Sequence, residues 1–287
     1  MTGIVLIAFS AAMLWGLADF GGGLAAKRTH VATVLLATQT VGLLVSVALV
    51  LVSGPRSPGA QAALASLGAG IAGAIGLAFF YRALATGSMS IVAPLAATGV
   101  ALPVLVGMLG SGDGLHRSQA AGLALAVVGV VLASRQAEQR ILLAGGTRSV
   151  RRRAVVLALL SAVGFGLYFT GAHAGVRGGG AAWMLLLSHA SAVALIVPVA
   201  LLARAPLLAA PELRAPLLLI ALLDLSATGL YALANRHGLL SVVAVVGSLY
   251  PLATVALARF VLGERVSCVQ GFGVVFALGG VGLLAGG

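Results

Sequence analysis

Residues 241–285 read SVVAVVGSLYPLATVALARFVLGERVSCVQGFGVVFALGGVGLLA, and an earlier stretch of the chain repeats their pattern. Residues 90–134, about 150 positions back, lie on this stretch without a gap. Ser90 falls on Ser241, Val92 on Val243, Ala93 on Ala244 and Gly112 on Gly263. Asp113 falls on Glu264, Gln119 on Gln270, Gly122 on Gly273 and Gly129 on Gly280. Glutamine and acidic residues are scarce in this chain, so their coincidence carries more weight than a match of Gly or Val. Self-similarity at a fixed offset is the mark of a duplicated unit.

The register extends outward from that stretch. Trp15-Gly16-Leu17 falls on Phe165-Gly166-Leu167, and Thr38-Gln39 on Ser188-His189. Both repeated serines follow an Ala-Leu-Ala, at 83–85 and 232–234. Of the 287 residues, 61% are hydrophobic and 8% charged, against about 25% charged in a soluble domain. So apolar a chain belongs in a bilayer, where a spanning helix needs about 20 apolar residues. Ten such segments are predicted, at about 3–25, 31–52, 63–86, 90–110, 117–134, 154–175, 181–203, 215–235, 239–262 and 267–286. The first lacks a basic leader and reads as a span. An Arg-rich linker divides the chain into repeats at 1–134 and 154–287, with 135–153 between them. The expected fold is an all-α membrane protein of ten transmembrane helices in two five-helix repeats. An odd number of spans per repeat turns the second upside down relative to the first.

The net charge of +11 does not mark a nucleic-acid binder, because the basic residues sit in short gaps between apolar runs. Cys268 is the single cysteine, which excludes an intrachain disulfide or a cysteine metal site. Pro94, Pro103, Pro198 and Pro251 lie inside apolar segments. Each removes a backbone donor and is expected to open its helix locally, which a membrane tolerates beside a cavity.

Polar groups in hydrocarbon are costly, so each needs a reason. Asp224, Thr228, Tyr231 and Asn235 are spaced by four, three and four, which puts them on one helical face. That face is expected either to line a cavity or to lock two helices by hydrogen bonds. Asp19 follows Trp15 by one turn, either inside the bundle or solvated near the interface. Gln39 and His189 occupy matched positions, which points both at a shared interior. Tyr81, Tyr168 and Tyr250 are candidates for stacking on a solute or for anchoring helices at the interface. Asp224 is the candidate proton carrier, because hydrocarbon favours its neutral form, with Asp19 second. Asp113 and Glu264 are expected to cap the helices that follow them.

The sequence holds no phosphate-binding Gly loop with Lys and no HExxH, so neither an enzyme nor a cofactor is expected. Trp15-Gly16, the two Ala-Leu-Ala turns, SVVA at 241–244, Tyr250-Pro251, Gly263-Glu264-Arg265, and Gln270 with Gly273 and Gly280 resemble the drug/metabolite transporter superfamily. The similarity is to its ten-helix form with two EamA-type repeats and, within it, to amino-acid exporters of the YddG type. The first repeat departs by carrying Gly112-Asp113-Gly114 and by lacking a proline at Val100. The resemblance implies alternating access for a small metabolite, an amino acid in its narrowest form, with a drug or sugar derivative as the rival. A non-transporting scaffold is the alternative from another class. The expected partners are the solute, the bilayer and a coupling proton, with no second subunit required. Orientation divides the evidence. The even gaps between spans hold only Arg56, Arg117, Arg177 and Arg236, and all other basic residues fall in the odd gaps. That bias puts the linker in the cytoplasm and both termini outside, whereas the resemblance implies cytoplasmic termini.

Overall fold

A computed structural model of the protein describes residues 2–110 and 148–264 continuously, with isolated positions between 117 and 132 and between 269 and 283. The described residues form helices and no strands. Their order is α1 (Thr2–Ala26), α2 (Val31–Ser53), α3 (Ala60–Thr86), α4 (Met89–Ala97), a 3-10 turn (Thr98–Val100) and α5 (Ala101–Gly110). After the linker come α6 (Arg148–Gly179), α7 (Ala181–Leu202), α8 (Pro211–His237), α9 (Leu240–Gly247) and α10 (Pro251–Leu262). Seven segments are long and apolar enough to cross a membrane, among them Leu240–Leu262 taken through its break. They coincide with the first three and the sixth to ninth predicted spans. The fourth is present but broken into α4 and α5. The fifth and tenth, residues 135–147 of the linker, and Asp113 lie outside the continuously described residues. Helix α6 begins at Arg148, inside the predicted linker, so Arg152 and Arg153 are exposed residues of a helix.

The outer surface is apolar. Val52, Leu202 and Phe260 are each more than four-fifths exposed, a surface that water would not tolerate and lipid does. Inside, the packing partners come from opposite halves. Helix α1 packs on α8, α3 on α6, α2 on α7, α4 on α10 and α5 on α9. Exchanging the halves returns α2·α7 to itself and turns each of the other pairings into another of the set, as a two-fold relation between repeats requires. Two hydrogen bonds repeat the symmetry at atomic scale. The Thr33 hydroxyl donates to Pro206 O at 2.6 Å, and the indole of Trp183, the residue matched to Thr33, donates to Pro55 O at 3.4 Å. Helices α3 and α6 approach closely at Gly76 and Gly164, where a Cβ on Gly164 would come within 2.6 Å of the Gly76 Cα. Small residues permit this contact, and packing is what holds helices together in lipid.

The proline expectation holds in part. The break at Thr98–Val100 lies just before Pro103, and the break at Ser248–Tyr250 lies just before Pro251. In the repeat register Thr98–Val100 falls on 249–251, so the two breaks differ by one residue. Pro94 and Pro198, in contrast, sit inside continuous helices.

Glu264 caps a helix of the other half, and the helix that follows it lies outside the continuously described residues. Gly263 takes a left-handed φ of 66°, and the Glu264 amide closes back on Ala258 O at 3.1 Å. This turn aims the carboxylate across to the first half. There it accepts from Ser88 Oγ at 2.7 Å, from the Met89 amide at 3.2 Å and from the Ser90 amide at 3.0 Å. These are groups at the start of α4, whose first amides lack intrahelical partners. Burial pushes the Glu264 carboxyl up, while the Ser88 hydroxyl and the amides of Ser90 and Met89 more than offset it, leaving it below its usual value.

Candidate functional site

The central cavity lies where the crossed pairs α1·α8, α2·α7 and α3·α6 meet. Its volume is about 80 Å³. Both halves line it: Trp15 and Asp19 from α1, Gln39 from α2, Gly73 and Leu77 from α3, then Phe165 and Tyr168 from α6, His189 from α7, and Asp224 and Thr228 from α8. Tyr250 reaches it from the break before α10. These residues sit near the middle of their helices, which places the cavity at mid-membrane depth.

Asp19 is 7% exposed, which removes the solvated alternative. The Asp224 carboxyl lies beside the Trp15 indole, and the Thr228 hydroxyl beside the Tyr168 phenol. Gln39 and His189 both line the cavity, as their matched positions suggested. His189 Nδ1 donates to Leu185 O at 2.7 Å, which leaves Nε2 unprotonated in the neutral ring. The ring edge that carries Nε2 packs on Gly42, where any side chain would overlap it.

Aromatic rings flank the polar groups in two sets. Trp15, Phe169 and Tyr231 have mutual centroid distances of 5.2–5.8 Å. Phe80, Phe165 and Tyr250 meet edge to face at 5.5–6.0 Å. The Tyr250 hydroxyl is buried and has no hydrogen-bond partner among the described residues. Among the residues lining the cavity there is no Lys or Arg. Among the described residues no group of three His, Cys, Asp or Glu could hold a metal ion.

Three predicted residues do not line the cavity. Tyr81 is buried against Gly22 of α1 and fills the gap between α1 and α3. Tyr231 packs in the aromatic set behind Trp15. Asn235 turns to α6, where its Oδ1 meets His173 Nδ1 at 2.7 Å, and its own amide donates to Tyr231 O at 3.0 Å. The polar stripe of α8 therefore divides: Asp224 and Thr228 line the cavity, and Asn235 locks two helices. Phe165, Phe169, Ser188 and the small residues of α3 line the cavity without having been predicted to do so. For Phe165 the signal was available, since it is the repeat partner of Trp15.

Apolar helices exposed to the outside, enclosing a mid-depth cavity that holds two carboxyls, define a multi-pass integral membrane protein. The model of the EamA-like transporter family matches residues 2–135 and 152–286. The chain belongs to that family of membrane transporters. One solved crystal structure of a protein is similar over 99% of this chain and 96% of its own, with a TM-score of 0.70 at 19% identity, which bears on the fold alone. None of the curated proteins searched matches the chain.

Proposed function

We propose that the chain is a secondary transporter that carries a small amine-bearing metabolite through the central cavity by alternating access. The observation that carries this reading is the cavity itself: two carboxyls, Asp19 and Asp224, face one mid-membrane space built by both halves. Acids at that depth are costly and mark solute or proton paths. The interruption of α9/α10 brings Tyr250 to the cavity, and broken helices beside a solute site are a feature of transporter folds. Amino-acid export is the narrowest form of the reading, with the amino group at the carboxyls and the side chain among the rings. With no ATP-binding motif in the sequence, a gradient supplies the energy, and Asp224 is the first candidate for a coupling proton.

The test is uptake into proteoliposomes of a mixture of labelled small metabolites. Transport is expected, and it should fall with Thr228→Val and His189→Ala while thermal stability is kept. Normal transport by both folded variants removes the cavity from the account. No transport of any solute favours the scaffold.

A further inference from the structure

We propose that the cavity selects compact organic amines in their cationic form and discriminates against the same molecules carrying a carboxylate. The inference rests on the transport reading above and narrows its substrate class away from free amino acids. Two carboxyls, Asp19 and Asp224, share a space of about 80 Å³ with no Lys or Arg among its lining residues. A cation entering this space is attracted to both acids and to the faces of Trp15 and Tyr168. A carboxylate entering it meets two acids, and buried anions without a counter-charge are unfavourable. His189 is the one lining group that could supply a positive charge. Its Nδ1–H is already spent on Leu185 O at 2.7 Å, and its Nε2 edge packs against Gly42. The Tyr250 hydroxyl, buried and without a partner among the described residues, offers an acceptor for an ammonium N–H.

The chain has two tryptophans, Trp15 in the cavity and Trp183 beside the loop carbonyl of Pro55. The full chain carrying Trp183→Phe therefore reports on the cavity through Trp15 fluorescence. It is titrated with 3-methylbutylamine, with leucine and with 4-methylpentanoate, three solutes of similar alkyl body. The amine should give a saturable change, leucine should bind at least tenfold more weakly, and the acid should give none. The amine response should vanish in the doubly substituted Asp19→Asn, Asp224→Asn chain. Thermal stabilisation of the unsubstituted protein by the same solutes repeats the comparison should Trp183→Phe fail to fold. Leucine binding as tightly as the amine overturns the inference and leaves amino-acid export standing. Binding by the acid alone, or by none of the three, also overturns it. The proteoliposome mixture then separates a carrier of another class from a chain that carries nothing.

Discussion

Gly42 governs how His189 can behave. Its missing side chain lets α2 close on the imidazole, and a methyl group there would overlap the ring. Gly42→Ala should therefore force the ring out of its place on Leu185 O, at an overpacking cost of about 1–3 kcal/mol. Transport is expected to fall at least tenfold in a protein that still folds, as measured by uptake rate and thermal unfolding. Asp224 has a different test. Asp224→Asn mimics the neutral acid, so uptake driven by a pH gradient should lose that dependence while the fold is kept. Measuring uptake at fixed solute with and without the gradient decides it, and a native protein indifferent to the gradient leaves facilitated diffusion. The sequence spacing put all four residues on one helical face, and the structure places Asp224 and Thr228 along the cavity but Tyr231 and Asn235 away from it, for a simple reason. Spacing fixes the angle of a residue around a helix but not what lies beside it at each depth. From Asp224 to Asn235 the helix advances by roughly 16 Å, far enough to leave the cavity and enter the contact with His173.

At the scale of elements, the contact between Glu264 and α4 makes a pH-dependent prediction. Its carboxyl lies below the ordinary Glu value of 4.5. A lowered value in the folded state means the stabilisation is complete above the unfolded value and is lost as pH falls through the folded one. Glu264→Gln should thus destabilise the protein by about 1 kcal/mol near neutrality, as loss of a helix cap does. The gap from the native protein should close as the pH drops below 4.5, the ordinary Glu value. Thermal unfolding across that range checks it, and a gap that does not change with pH refutes the assignment. The sequence marked Glu264 as a capping residue because an acid after a Gly sits at a helix turn. It could not give the partner, since that depends on how the two repeats pack. The prolines teach the same limit. Each removes one donor, but whether a helix opens depends on what is packed against it, and Pro94 and Pro198 are held in continuous helices.

For the molecule as a whole, the duplication was legible because scarce residues recur in register, and the crossed pairing of helices bears it out. Seven long helices fall on predicted spans, and the broken α4/α5 falls on an eighth. What apolar runs could not reveal is which residues of each run face inward, because nearly every face of these helices is hydrophobic. Orientation is a prediction from the basic residues: their count expects the Arg-rich linker in the cytoplasm with both termini outside, against the cytoplasmic termini that the family resemblance implies. A reporter active only in the cytoplasm, fused after Gly287, should be silent. A signal from it would reverse the orientation and place the linker arginines outside, without altering the pairing of the halves.

The carboxylate that finishes α4 is made late. Ser88, Met89 and Ser90 leave the ribosome some 175 residues before Glu264 does. Through that interval the amides of Met89 and Ser90 lack this acceptor. The start of α4 is therefore expected to gain its cap only when nearly the whole of the second repeat has been made. Severed in the linker and produced as two polypeptides, the repeats should each be short-lived alone and should restore one another when made in the same cell.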